Sequence, residues 1–276
     1  PFQIGLSKVK DNSVSGFFFD PPYGDNVPYL EFSQIWNAFY EKIEDYSNEI
    51  IVSDRIEYVS KWAKYRKDLQ QCISLFRKKL KPSGKVILTF NNVEPEAWLS
   101  ILNPFLKENF KLINVAYQIP AVISSKAQLS KNTSYVGDYY CVFEKSNGSV
   151  KKLKNNINEV EKALIECLIS REGTAAQNLL FRVGVFKIIN SKLSHELIAD
   201  IDKIINKISD KKAGNYFTIK EGLKPKKTVI SINSLVTDIC NKFVQNGHHN
   251  IEELYVEIID KTEFIGAPSL NEINSI

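Results

Sequence analysis

The sequence predicts an α/β fold: one half of a doubly wound sheet, followed by a mostly helical region with a small β-hairpin. Three observations predict it. Short apolar runs alternate with longer amphipathic ones over residues 1–148. The first apolar run ends on a Pro pair. From residue 149 onward, apolar residues recur mainly at helical spacing.

The elements are taken in chain order. Val14-Ser15-Gly16-Phe17-Phe18-Phe19 has strand length, is rich in aromatics and reads as a buried parallel strand. Asp20-Pro21-Pro22-Tyr23 closes it. Two prolines fix two φ angles and remove two backbone donors, so the strand cannot continue. Gln34 to Tyr46 carries Ile35, Trp36, Phe39, Tyr40 and Ile43 at helical spacing. Val59 to Leu80 reads as a longer helix, with Trp62, Leu69, Ile73, Phe76 and Leu80 on one face and a stop at Pro82-Ser83-Gly84. Lys85 to Phe90 is a short apolar strand, and Glu94 to Glu108 is a helix interrupted or restarted at Asn103-Pro104. Phe110 to Tyr117 and Tyr139 to Phe143 complete the sheet as an expected antiparallel pair.

Ser146 to Asn156, polar and Lys-rich, is the best boundary, giving domains 1–148 and 149–276. Beyond it, Val160 to Ile169, Gln177 to Ile188, Ser194 to Ile208, Asn233 to Gln245 and Ile251 to Asp260 read as helices. Phe217-Thr-Ile and Val229-Ile-Ser-Ile read as the two strands of the hairpin, a winged-helix-like arrangement.

Composition sets bounds. The 276 residues, 43% hydrophobic, suffice for two cores, and a formal charge of +4 permits nucleic-acid binding without demanding it. No apolar run is long enough to span a membrane. Cys72, Cys141, Cys167 and Cys240 are far apart and read as reduced core thiols, and His248-His249 reads as a solvated turn. No metal site and a cytoplasmic setting are therefore expected.

The chemistry is concentrated at Asp20-Pro21-Pro22-Tyr23. Ligands of open α/β sheets bind outside the carboxyl ends of strands. There the Pro pair holds an acid and an aromatic ring in fixed positions. An exocyclic amino group on a base is a poor nucleophile, because its lone pair is delocalised into the ring. Acceptors aimed at its two N–H bonds favour the tetrahedral form that attacks a methyl group. The Asp20 carboxylate and the Pro21 carbonyl are suited to supply them. Tyr23 is suited to stack on an unstacked base.

The string Asp20-Pro-Pro-Tyr-Gly-Asp-Asn-Val-Pro-Tyr29 resembles the DPPY motif of the S-adenosylmethionine-dependent amino-methyltransferases, and within them the adenine-specific DNA methylases of bacteria and archaea. The likeness continues through Gly84-Lys-Val-Ile-Leu-Thr-Phe-Asn-Asn-Val-Glu-Pro-Glu-Ala-Trp98 and Phe110-Lys-Leu-Ile-Asn-Val115 and fades after Ser146. It implies the distal half of a methyltransferase-like sheet. It also implies methyl transfer from S-adenosyl-L-methionine to N6 of adenine in DNA, with Asp20, Pro21, Pro22 and Tyr23 as catalytic residues. Asn26 and Tyr29, in the same string, are expected nucleic-acid contacts.

One part of such a fold is missing from the sequence. The cofactor normally rests on a Gly-rich turn after the first strand. The 13 residues before Val14 hold no Gly-x-Gly. In the tail, the sole candidate is Phe264-Ile265-Gly266-Ala267-Pro268-Ser269, whose Pro sits where the backbone should approach the cofactor. The cofactor-binding half is therefore expected from a second chain or a missing segment.

Two basic stretches bear on nucleic acid. Ser124 to Tyr135 is polar, carries Lys126 and Lys131 without an acid, and lies between two expected strands at the catalytic end of the sheet. Those lysines are candidate phosphate contacts. Lys211-Lys212 to Lys227 reads as a ribbon whose charge is diluted by Asp210 and Glu221. Two alternatives stand beside the DNA reading. One is methylation of a base amino group in RNA. The other is a non-catalytic DNA-binding or assembly subunit of a methyltransferase or restriction-modification system.

Overall fold

The structure, a computed structural model, describes residues 2–24, 29–40, 49–53, 61–92, 94–118, 137–147, 153–223, 231–247, 250–268 and 273. The chain divides into two compact units, residues 1–115 with 138–152, and residues 116–137 with 153–276.

The first unit is α/β. Its elements are α1 (Phe2–Ser7), β1 (Val14–Phe19), α2 (Tyr29–Phe39), α3 (Trp62–Lys79), β2 (Leu80–Phe90), α4 (Pro95–Lys107), β3 (Phe110–Gln118, of which 110–115 belong to this unit) and β4 (Asp138–Lys145). The four strands form one sheet in the order β1-β2-β4-β3. β1 runs parallel to β2, with Phe17 opposite Val86 and Phe19 opposite Leu88, and β4 runs antiparallel to β2.

Side chains alternate across a strand, so one face of this sheet takes Phe17, Phe19, Val86, Leu88 and Phe90. That face forms the core. Phe76 of α3 stacks on Phe17 at 4.5 Å and meets Phe19 edge-on. Trp98 of α4 lies between Phe90 and Tyr139, and Phe105 stacks on Phe143 at 4.0 Å. α3 presents one stripe to the sheet because Tyr65, Leu69, Cys72, Ile73 and Phe76 recur at three- and four-residue spacing, and all are buried. Lys79 ends the helix with its ammonium donating to the Val9 carbonyl (2.6 Å) and to Asp11 (2.7 Å). This contact ties the segment before β1 to α3.

The opposite face differs from the expectation of a strand buried on both sides. Phe18 is 67% exposed, and its β2 neighbour Ile87 is partly exposed as well. β1 also lies at the edge of the sheet. On α2, Phe32, Ile35, Trp36 and Phe39 are all exposed, and none of its residues is buried.

Several boundaries shift for physical reasons. α2 begins at Tyr29, ahead of the expected Gln34, because the Glu49 carboxylate accepts from the Leu30 amide (3.0 Å) in its first turn. Residues 41–48, where the sequence extends that helix, lie outside the described residues. β2 starts at Leu80 and runs through Pro82-Ser83-Gly84, taking up the irregularity as a register shift against β1 and a positive φ at Ser83. α4 passes through Pro104 without a break; the Glu108 amide donates to the Pro104 carbonyl and closes the helix.

The second unit contains α5 (Ile157–Ser170), β5 (Thr174–Ala176), α6 (Gln177–Asn190), a 3-10 turn (His195–Asp200), α7 (Ile201–Ile208), β6 (Ser209–Lys211), β7 (Tyr216–Ile219), α8 (Ile232–Gln245) and α9 (Ile251–Thr262). β7 pairs antiparallel with both β5 and β6. The expected partner strand at Val229–Ile232 is replaced in part by the start of α8, where the Ser231 hydroxyl caps the Ser234 amide (3.2 Å). Val229 and Ile230 lie outside the described residues. β5 and β6 are three residues each, too short to show an alternation in sequence.

All four cysteines are free thiols. Burial pushes Cys72 and Cys141 up to about 12 and Cys167 up to about 11, which keeps them protonated and unreactive. No helix among the described residues is long and apolar enough to cross a membrane.

The two sheet faces make unequal demands on stability. Phe105→Ala empties a fully buried, stacked position and should cost about 3–5 kcal/mol in urea denaturation. Phe18→Ala, on the open face, should cost less than about 0.5 kcal/mol. Equal losses would show that the open face is covered in solution.

Candidate active site

The site is built on the turn after β1, and the sequence forces that turn. Pro21 and Pro22 have no N–H to continue the ladder, so the chain leaves the sheet at Asp20. The backbone of the turn is held from two sides. The buried Tyr65 of α3 donates its phenol to the Pro22 carbonyl at 2.5 Å and accepts from the Gly24 amide at 3.3 Å. Asn92, just beyond β2, donates its side-chain amide to the Tyr23 carbonyl at 2.7 Å. The Gly24 carbonyl accepts from the Val52 amide at 3.1 Å. Gly24 has φ +72°, and a Cβ there would come within 3.2 Å of Trp62 and Asn92, so glycine meets both demands.

These bonds occupy the carbonyls of Pro22, Tyr23 and Gly24. Among the described residues, none donates to the Pro21 carbonyl. That oxygen and the Asp20 carboxylate belong to consecutive residues at the carboxyl end of the strand. Asp20 is exposed, and one of its oxygens, Oδ1, accepts from the Thr89 hydroxyl at 2.6 Å. The arrangement is a pair of oxygen acceptors on a rigid turn, with one carboxylate oxygen already oriented by its neighbour on β2.

Tyr23 is half-buried, its ring tilted against Phe90 at 5.1 Å. Its hydroxyl lies in the electrostatic field of Asp20 and of Asp138, the first residue of β4. Burial raises the phenol well above its ordinary value; the Asp138 and Asp20 charges add to this, and the Thr89 hydrogen bond opposes it. The Asp138 carboxyl is likewise raised, chiefly by burial and also by the Asp20 charge, with the Tyr23 hydrogen bond pulling the other way.

Of the residues expected from sequence, the structure thus brings together Asp20, Pro21, Pro22 and Tyr23. Tyr29 opens α2 and is 55% exposed. Asn26, Lys126 and Lys131 lie outside the described residues. Four further residues shape the site and escaped the sequence reading of its chemistry: Tyr65, Thr89, Asn92 and Asp138. Tyr65 looks like any core aromatic of an amphipathic helix. Thr89, Asn92 and Asp138 carried a usable signal, being polar residues at or beside the ends of apolar strands.

Asn92 is the most connected of them. It is buried, its Oδ1 accepts from the Glu94 amide (2.7 Å), and its carbonyl accepts from the Trp98 indole (2.9 Å). One residue therefore joins the turn after β1, the entry to α4 and the core tryptophan.

The tail candidate does not fit a nucleoside cofactor of the kind the DPPY resemblance implies. Such a group needs glycine backbone open to its approach. At the tail candidate, a Cβ on Gly266 would lie 2.6 Å from Leu179 and 2.9 Å from Val183, so the space is already filled. The carbonyls of Ile265 and Gly266 accept from Arg171, and that of Ala267 accepts from Arg182. The segment is a clamped part of the second unit. Among the described residues, no group of three His, Cys, Asp or Glu side chains is placed to hold a metal ion.

No family model matches this chain, and no curated protein matches it. Solved structures do. A candidate DNA modification methylase from Thermus thermophilus matches at TM-score 0.28 and 15% identity, over 58% of this chain and 57% of that one. Its selenomethionine derivative matches at TM-score 0.29 and 12% identity, over 58% and 56%. PvuII DNA methyltransferase (cytosine-N4-specific) matches at TM-score 0.32 and 14% identity, over 73% of this chain and 89% of that one. The chain spans just over half the length of the Thermus chains.

The turn should be separable from the bulk core by mutation. Tyr65→Phe keeps the packing and removes one donor, and should cost about 1–1.5 kcal/mol. Asn92→Ala leaves buried partners unpaired and should cost about 1–3 kcal/mol. Urea midpoints equal to the parent for both variants would show that these bonds do not hold the turn.

Proposed function

We propose that this chain presents the target amine in methyl transfer from S-adenosyl-L-methionine to N6 of adenine in DNA. The observation that carries the reading is the pinned turn, with the Asp20 carboxylate at its start and next to it in sequence a Pro21 carbonyl to which no described residue donates. Two acceptors that each take one N–H leave the nitrogen lone pair out of the ring plane, pointing away from them. That lone pair is the nucleophile. The methyl donor supplies an electrophilic methyl group, and its site is assigned to a part of the enzyme outside the described residues. Tyr23 supplies the ring on which the flipped base stacks. Asp at the first motif position favours adenine over cytosine, in line with the DPPY resemblance.

The donor-binding half is proposed to come from a second chain or a further segment. Two features support this. Parallel strands are ordinarily covered on both faces, whereas Phe18 is exposed and Ile87 partly exposed here. Ligands of α/β sheets also sit where strand order reverses, which requires a neighbour on the far side of β1, now an edge. The same features favour one second reading: an assembly subunit that keeps the turn and leaves catalysis to its partner. The setting proposed is cytoplasmic. Lys126 and Lys131 are proposed to hold backbone phosphates beside the extruded base, with Asn26 and Tyr29 as further nucleic-acid contacts.

Transfer of tritiated methyl groups by the complete enzyme tests the reading. Asp20→Ala should lower the rate by about 10²–10³, the cost of one lost hydrogen bond to developing charge. Tyr23→Ala should weaken base binding by about 1–3 kcal/mol as well as slow turnover. Parental turnover in Asp20→Ala would sink the catalytic assignment and leave the assembly reading.

The phosphate role has its own measurement. Replacing Lys126 and Lys131 together with Ala should lower the slope of log K against log salt by about one to two units, at roughly 0.9 per phosphate contact. Sequence preference should survive, because phosphate contacts position without specifying. An unchanged slope would remove the loop from the interface.

A further inference from the structure

The second unit carries a surface that the proposed reaction does not use. Its elements run α5, β5, α6, the 3-10 turn with α7, β6 and β7, and β7 pairs with both β5 and β6. The order is a helix–turn–helix, α6 and α7, followed by a two-stranded ribbon. Residues 191–194 join the two helices. That turn is pinned to the segment before α5: the Lys154 amide donates to the Lys192 carbonyl (3.3 Å), and the Ser194 amide donates to the Lys154 carbonyl (2.8 Å). Gly184 lets the helices approach closely, since a Cβ there would lie 3.0 Å from Ile201.

One stripe of α7 faces the core. Ile201, Ile204, Ile205 and Ile208 are buried, whereas Asp202, Lys203, Asn206 and Lys207 are exposed. The ribbon is tied to the end of that helix. The Lys220 ammonium donates to the carbonyls of Asn206 (3.1 Å) and Lys207 (2.9 Å). The ribbon turn closes where the Lys212 amide donates to the Tyr216 carbonyl (2.7 Å), with positive φ at Gly214 and Asn215. The outer face of α7 and the ribbon turn are therefore fixed relative to one another.

Topology alone does not assign a ligand, but charge narrows the choice. Over residues 201–220, five lysines stand against two aspartates. Over α5, three glutamates stand against one lysine. The unit is thus polarised, with its positive side along α7 and the ribbon. Lys203 is paired with Asp200 at 2.8 Å and Lys207 with Glu161 at 2.5 Å. Among the described residues, no acid pairs with Lys211, which ends β6, or with Lys212 in the turn, and both are exposed. Lysines without a local counter-ion suit phosphate contact. A polar helix face beside them suits the major groove of B-DNA, which admits an α-helix.

We infer that the second unit docks on duplex DNA: the outer face of α7 enters the major groove with Asn206 at the base edges, and Lys211 and Lys212 hold the adjacent phosphates. This surface lies outside the candidate active site, and its assignment does not rest on methyl transfer.

The experiment is fluorescence anisotropy of the full chain with labelled DNA duplexes, without methyl donor, over a salt titration. Replacing Lys211 and Lys212 together with Ala should lower the slope of log K against log salt by about one to two units, at roughly 0.9 per phosphate contact. Lys126 and Lys131 remain in both proteins, so the difference reports the ribbon alone. Lys162→Ala, on α5, should leave the slope unchanged. Asn206→Ala should keep the slope and relax the base preference recovered by selection from random duplexes. Duplex RNA should compete poorly, because its deep, narrow major groove does not admit the helix. An unchanged slope in the double variant, an equal loss in Lys162→Ala, or RNA competing as well as DNA overturns the assignment. An unaltered base preference in Asn206→Ala overturns the placement of α7. Duplex binding through the ribbon without methyl transfer by the complete enzyme would keep this assignment and end the methyltransferase reading. Methyl transfer with an unchanged slope would do the reverse.

Discussion

The hydrogen bonds from Tyr65 and Asn92 to the turn after β1 are the constraint on which the rest of the site depends. A Pro pair stops a strand, but it does not by itself aim the residues beyond it. Tyr65 reaches the turn from α3 and Asn92 from the end of β2. Each is buried and each is tied into the core, Asn92 through the Trp98 indole. The turn therefore inherits the rigidity of the helix layer beneath the sheet. The carbonyls of Pro22, Tyr23 and Gly24 are occupied, and no described residue donates to that of Pro21. The chemistry proposed for the chain depends on which backbone groups the fold consumes and which it leaves over.

The sheet that carries this turn is packed on one side. Phe76, Trp98 and Phe105 fill the helix-covered face, while Phe18 stands bare on the other. A run of three phenylalanines across both faces of a strand is costly in water on either side. Among the described strands, that run lies at the edge of its sheet. At Gly266 the backbone is enclosed by Leu179, Val183, Arg171 and Arg182.

Much of this was legible in the sequence, and the rest was hidden for physical reasons. The α/β class, the strand at Val14–Phe19 and the helices around Leu69 and Trp98 emerge from apolar spacing, which reports burial directly. Helix and strand ends were less legible. The entry of α2 is set by Glu49, and β2 runs through Pro82-Ser83-Gly84 by shifting register against β1; neither partner is adjacent in sequence. The strands at Thr174–Ala176 and Ser209–Lys211 are too short to show a period. At the site, Asp20 to Tyr23 stand out because their residue types are unusual together. Of the others, Tyr65, Asn92, Thr89 and Asp138, Tyr65 is ordinary for its helix, and Asn92, Thr89 and Asp138 show only as polar residues at or beside the ends of apolar strands. The first three gain their roles through contacts with residues 43 to 69 positions away. Asp138 opens a different strand, β4.

The central claim is that the pinned turn presents an exocyclic amine of adenine to an electrophilic methyl group. The most direct measurement is nucleoside mass spectrometry of DNA from cells that carry the complete enzyme, with the parental chain or with Asp20→Ala. The account predicts N6-methyladenine with the parental chain and its loss in the variant. N4-methylcytosine with the parental chain, or N6-methyladenine at the same level in both, would contradict it.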